Sequence, residues 1–302
     1  MINRIDDIGD DELRVIGRKE SGTSKAFNDN NHNTPWLWFL LVVAILIGVI
    51  ILLVTQKGTS DEAATELQEA MYDPIPAEPE LGPVEPLGNY KDDNTHESYT
   101  EHQKMTINDI SLHVYIPHNA VPELMIGTPD MYDNSIVLTT QAADIRADNG
   151  KIVGAFVLKG KPMSWGLSKK GYCGIIDGKM TIGVADDSPL FERATETEGY
   201  FFRQYPLVDN GRLVENEPKG KSVRKALCDR NGEIMVVMTD TIESFHDFAQ
   251  ALVDLRVSNA IYLVGSTSYG YFRDKFGHFT PIYDKRRGGQ KYENFVVWRK
   301  EI

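Results

Sequence analysis

Hydrophobic and polar positions change rhythm three times along the chain. Residues 36–54 are nineteen positions without a charge, opened by Trp36 and Trp38. As a helix they extend roughly 28 Å, close to the ~30 Å hydrocarbon layer of a bilayer, so a transmembrane helix is expected over 35–56. From 57 to 103 the apolar rhythm is lost. Pro74, Pro76, Pro79, Pro83 and Pro86 alternate with Glu78, Glu80 and Glu85. Proline fixes φ and removes donors while like charges repel, which predicts an extended acidic stalk. From 104 to 302 the pattern is globular.

Within that last stretch, Asn149-Gly150, Asp177-Gly178, Asn210-Gly211 and Asn231-Gly232 separate β-rich runs, the signature of two-residue hairpins. Residues 172–176 and 180–184 form the clearest pair. Further strands are expected at 111–116, 135–140, 152–158, 224–228 and 295–298, with a helix at 189–197. Residues 233–238 and 260–264 are apolar. Between them Phe245, Phe248, Ala249 and Leu252 recur at helical spacing behind a Ser244/Asp247 capping box. Strand, helix and strand predict a βαβ unit with parallel strands. The expected fold class is therefore mixed α/β (α+β): a spanning helix, then a domain with a mixed sheet, hairpins and one βαβ unit. Ligands of open sheets bind beyond carboxyl strand ends, which marks residues 265–271 as the geometric site candidate.

Charge sharpens this division. The net charge of −12 is carried as −2 over residues 1–56, −10 over 57–103 and zero over 104–302. The acidity belongs to the stalk, so a local basic cluster in the neutral domain can still meet an anion. A nucleic-acid partner is not expected, since that requires a basic face. Arg14, Arg18, Lys19 and Lys25 precede the apolar run, and Lys57 stands alone after it until Lys91. This bias predicts a single-pass membrane protein with 1–34 cytoplasmic and 104–302 extracytoplasmic.

Candidate chemistry is sparse. No metal-ligand spacing is found among the seven histidines and two cysteines, and no G-x-S-x-G elbow, P-loop or H-E-x-x-H occurs. Neither metal nor cofactor is expected. Cys173 and Cys228 sit in apolar strands, which favours buried free thiols over a disulfide. His246 falls on the exposed side of its helix. Lys219, Lys221, Arg224 and Lys225 are either a clamp for a phosphodiester or a charged strand edge. Lys285-Arg286-Arg287-Gly288-Gly289 reads as a polar loop. Asp144, Arg146 and Asp148 are either an acid with a charge partner, as glycosidic cleavage needs, or the exposed side of a strand entering a turn.

Residues 135–300 resemble the phosphodiester glycosidase domain family. The shared order is a strand, a small-residue turn, Gly154-Ala155-Phe156-Val157-Leu158-Lys159-Gly160, the Ile176-Asp177-Gly178 hairpin, and Val223-Arg224-Lys225-Ala226. A hydrophobic strand, the helix at 248–255 and Ala260-Ile261-Tyr262-Leu263 follow. The family's Pro-Arg-Thr-Ala is matched at Arg224 and Ala226. Its Leu-Asp-Gly-Gly-Gly-Ser is matched at Leu263, Gly265 and Ser268, with Val264 at the acidic position. Its Asn-Gly-Gly turn falls near Gln141-Ala142-Ala143 without an exact match. The resemblance implies cleavage of a sugar–phosphodiester bond in envelope glycans, with Asp144 and Arg224 as catalytic residues and Gly265, Ser266, Ser268 and Lys225 holding the substrate. Val264 can neither transfer a proton nor bind a sugar hydroxyl. Either Asp144 or Asp148 replaces the missing acid, or the domain binds a glycan or glycosyl phosphodiester without cleaving it. A partner-recruiting domain is the third class of function.

Overall fold

The computed structural model describes residues 82–89, 97–266, 268–284 and 293–301. In chain order the strands are β1 (Tyr99–Ile107), β2 (Ile110–His118), β3 (Ala120–Ile126), β4 (Ile136–Gln141), β5 (Ala155–Leu158) and β6 (Lys161–Trp165). Then come β7 (Gly171–Ile176), β8 (Lys179–Val184), helix α1 (Leu190–Glu196), β9 (Tyr200–Gln204), β10 (Pro206–Asp209) and β11 (Arg212–Leu213). The chain continues with β12 (Ser222–Arg230), β13 (Glu233–Glu243), helix α2 (Phe245–Asp254), β14 (Asn259–Leu263), β15 (Tyr269–Arg273), β16 (Phe279–Asp284) and β17 (Asn294–Lys300).

They build three sheets, ordered β1-β2-β13-β12-β14-β10-β11, β16-β15-β4-β17-β3 and β6-β5-β9-β7-β8. One face of the first sheet packs Ala226, Cys228, Met235 and Val237 against Phe248, Ala249 and Leu252 of α2. Ser244 caps that helix, its Oγ accepting the Asp247 N–H at 2.9 Å, as the sequence pattern predicts. The opposite face, with Tyr115, Leu227, Val236, Met238, Ile261 and Leu263, shares a core with Leu138, Val296 and Trp298 of the second sheet and Cys173, Ile182 and Phe202 of the third. Each large apolar side chain buried there contributes roughly 1.5–3 kcal/mol. Ala194 of α1 packs with Phe201 and Ile176 on the outer face of the third sheet.

The expected mixed α/β class is not what forms. Every ladder between the described strands is antiparallel, and the domain is mostly β with two short helices. β13 and β14 do run in the same direction around α2, but β12 lies between them, antiparallel to both. The reason is local. Asn231-Gly232, with φ of 54° and 90°, folds β12 back onto β13, so the place beside β13 is taken before the chain returns through α2. As to the expected spanning helix, among the described residues no helix is long and apolar enough to cross a membrane. Residues 36–54, on which that expectation rested, lie outside the described residues, as do 1–34 and most of 57–103.

Asp177-Gly178 and Asn210-Gly211 also form positive-φ hairpin turns. Asn149-Gly150 does not. Gly150 N–H donates to Arg146 O at 2.8 Å and Arg146 N–H to Lys151 O at 2.9 Å, making a wider loop closed by an Ile145–Ile152 bridge. Two further hairpins turn on Asn108-Asp109 and Lys159-Gly160. The domain also reaches back into the acidic segment: β1 begins at Tyr99, and the Glu233 carboxylate accepts the Leu87 and Gly88 N–H groups at 3.0 and 2.8 Å.

Candidate functional site

β12 is an interior strand of the first sheet, so its side chains alternate between two covered faces. Arg224 points toward α2. It is 1% exposed, with its guanidinium 4.0 Å over the Phe245 ring. Nε donates to Glu243 O at 2.9 Å and Nη2 to Gly220 O, while Nη1 has no partner among the described residues. Lys225 points the other way. It is 0% exposed, and its Nζ lies 3.0 Å from both Thr140 Oγ1 and Ser268 Oγ. Burial pushes its amine down to about 7. Lys225 therefore sits at the boundary between ammonium and amine near neutral pH. The exposed basic cluster allowed by the sequence does not form from these two residues.

Ser268 Oγ donates to Gly265 O at 2.6 Å, which folds the loop after β14 over Lys225. Gly265 is fixed there by close approach. A Cβ on it would stand 2.1 Å from Val223 O. Ser266 and Val264 are half-buried on the same loop. The fold thus gathers Lys225, Ser268 and Gly265 with Thr140 at the end of β4, and places Arg224 on the far side of the sheet.

Asp144 follows β4 by way of Ala142 and Ala143. That turn is pinned to β17: Ala142 N–H donates to Asn294 O at 3.0 Å and Ala143 N–H to Asn294 Oδ1 at 2.7 Å. The Asp144 side chain is 32% exposed and ion-paired with Lys169. Lys169 Nζ also donates to Gln204 Oε1 at 2.8 Å and lies 4.3 Å over the Tyr205 ring. Gln204 Nε2 is buried without a partner among the described residues. Arg146 and Asp148 form a two-pronged pair at 3.0 Å on the surface, away from this contact.

Thr140 as the partner of Lys225, and Lys169 and Gln204 beside Asp144, carry no sequence signal. They come from three strands or loops with no shared motif, and only packing brings them to their partners. Lys225, Thr140, Ser268, Lys169 and Gln204 are all buried, and the Asp144 carboxylate, already paired, is the partly exposed group among them. Among the described residues no cluster of three or more His, Cys, Asp or Glu could hold a metal ion. Cys173 and Cys228 are buried free thiols, each pushed up by burial. His246 is exposed and pairs with Glu215 at 2.7 Å. The 285–289 loop lies outside the described residues.

No protein-family model matches the chain. No curated protein matches it either. Solved structures do. One is the catalytic domain of zebrafish N-acetylglucosamine-1-phosphodiester alpha-N-acetylglucosaminidase, auto-inhibited by its pro-peptide, at 15% identity and a TM-score of 0.47, covering 68% of this chain and 83% of that one. Another is a hypothetical protein from Synechocystis, at 13% identity and a TM-score of 0.50, covering 66% of this chain and 62% of that one. At such identities the likeness is one of fold, and a distant one.

Proposed function

We propose that this phosphodiester-glycosidase-like domain binds a glycan or glycosyl phosphodiester and does not hydrolyse it. The observation that carries this reading is the state of the carboxylates around the loops after β4 and β14. Glycosidic cleavage uses two carboxyl groups, one to protonate the leaving oxygen and one to act as nucleophile or base. Val264 stands at the family's acidic position, and Asp144 is spent on the buried Lys169. None of the remaining groups is a carboxyl: Thr140, Lys225 and Ser268 form a buried cluster, Gln204 holds an amide and Ser266 a hydroxyl on the loop.

The test incubates the full-length chain with a GlcNAc-α-phosphodiester model substrate, following sugar release by chromatography and binding by calorimetry. Binding with no released sugar is the expected result. Release of sugar that disappears in Asp144→Asn would overturn it and make Asp144 the acid of a working hydrolase. Absence of both binding and release would also sink the reading.

A further inference from the structure

The first sheet carries a second group of polar side chains, on β1, β2 and β13. His102 Nε2 lies 2.9 Å from His113 Nδ1, and His113 Nε2 lies 3.4 Å from Asp240 Oδ1. Lys104 Nζ meets Asp240 Oδ2 at 2.6 Å. Asp240 reaches this position because β13 bulges. Val223 pairs with Ile242 and Lys225 with Met238, so Arg224 alone faces residues 239–241. Thr239 Oγ1 holds the bulge by accepting the Arg224 N–H at 2.9 Å and donating to Thr241 O at 2.7 Å. Bulges of this kind re-aim side chains and recur beside functional sites.

The chain of contacts determines where the protons sit. The Asp240 carboxylate is held low, chiefly by its bond to Lys104, and only accepts. The His113 nitrogen facing that carboxylate is Nε2, at 3.4 Å, so in the tautomer that places a hydrogen there Nδ1 accepts from His102 Nε2–H. The remaining lone pair is on His102 Nδ1. Packing strips water from one side of the ring, and with the Lys104 ammonium nearby this holds His102 below its ordinary value and so keeps it neutral. The ring stacks on His113 at 5.1 Å and on Tyr115 at 4.8 Å, with Phe272 tilted against it at 5.4 Å. These residues line an open groove of about 290 Å³, closed on the other side by Thr280, Pro281 and Ile282.

We infer that this groove is a binding site for one neutral, hydroxyl-rich ring, a monosaccharide unit, whose hydroxyl donates to His102 Nδ1 while its C–H face lies on the stacked rings. The charge balance selects a neutral ligand. Among the described residues, Lys104 and Asp240 neutralise each other, Tyr115 keeps its proton through burial, and β15 contributes only Phe272, so these groups present no net charge to an ion. The volume suits one sugar ring and is at the small end for ligand sites. This site goes beyond the function proposed above and stands whether or not the loops after β4 and β14 bind anything.

The test is a titration of the full-length chain with the methyl glycosides of glucose, mannose and N-acetylglucosamine at millimolar concentration, read on histidine side-chain nitrogen NMR. The His102 imidazole signals report on this groove alone. A saturable shift of His102 Nδ1 is expected with at least one glycoside, weakening by roughly tenfold or more in His102→Ala, about 1.4 kcal/mol. His102 is exposed on an edge strand, so that variant keeps the fold, which circular dichroism verifies. His102→Asn, whose carbonyl oxygen can accept where Nδ1 did, recovers part of the affinity. Binding falls as acid protonates Nδ1. No shift at His102 with any glycoside, or binding unchanged in His102→Ala, would overturn the inference.

Discussion

Arg224 and Lys225 are neighbours in β12 and face opposite sides of the same sheet, one stacked under Phe245 and the other bonded to Thr140 and Ser268. Their roles separate accordingly. Arg224 holds the segment before β12 and the last residue of β13 through Gly220 O and Glu243 O. Arg224→Ala is expected to cost about 2–4 kcal/mol in urea denaturation, from lost charged hydrogen bonds and lost stacking. Arg224→Lys recovers little, because an ammonium lacks the planar fork that makes both contacts. Full stability in Arg224→Ala would show that the contacts to α2 carry no weight.

Lys225 titrates at about 7 in the fold, against 10.5 unperturbed. Between those values the unfolded chain keeps the proton and the folded chain releases it, so stability rises with pH across that window. The buried thiols of Cys173 and Cys228, held protonated by burial, work in the opposite direction near the top of it. The comparison is therefore with Lys225→Met, in which the rising contribution vanishes. Denaturation midpoints of both proteins at pH 7 and 9.5 measure this. Parallel pH profiles would rule out a depressed Lys225.

Gly265→Ala places a methyl group against the Val223 carbonyl, a backbone atom that cannot swing aside. The loop after β14 has to move, breaking the Ser268–Gly265 bond. A loss of about 1–3 kcal/mol is expected, as for other overpacked sites. Gly211→Ala, where the space is open but φ is +75°, is the control for backbone strain alone.

The Asp144–Lys169 pair is unequal, with side chains 32% and 4% exposed. Removing Asp144 strands a buried charge, whereas removing Lys169 leaves a carboxylate that water can reach. Asp144→Ala should therefore destabilise by about 1–3 kcal/mol more than Lys169→Met. Equal costs in thermal denaturation would mean that Gln204 Oε1 alone satisfies Lys169.

Asp133 supports the acid side of the stability curve. The Ser135 hydroxyl and the Arg299 guanidinium, each at 2.6 Å, hold its carboxyl down to about 2 against a partly opposing burial. A depressed carboxylate stabilises above its unfolded value near 3.8 and loses that contribution as pH falls toward 2. Asp133→Asn should flatten the loss of stability between pH 4 and 2, measured by denaturation at each end relative to the parent chain.

What the chain determines by itself is what a few neighbouring residues can decide. Asp177-Gly178, Asn210-Gly211 and Asn231-Gly232 adopt positive φ and close hairpins, and Ser244 starts its helix with its own hydroxyl. These interactions span two to four residues and leave a pattern. Asn149-Gly150 has the same letters and makes a wider loop, because no partner strands continue on either side to demand the tight turn.

The sheet order is of another kind. Whether β14 lies beside β13 or beyond β12 depends on which long-range ladder buries more surface, and apolar runs look alike in either place. The same holds for the site. A lysine's charge state depends on the water that packing removes, and Asp144 finds Lys169 only because the end of β4 meets the segment before β7. The His102–His113–Asp240 contact joins two strands to a bulge whose existence no local pattern announces. Turns, caps and apolar runs are local free energies written in the sequence. Strand partners, buried charges and proton positions are set by desolvation and contact across the domain, and only the tertiary structure decides them.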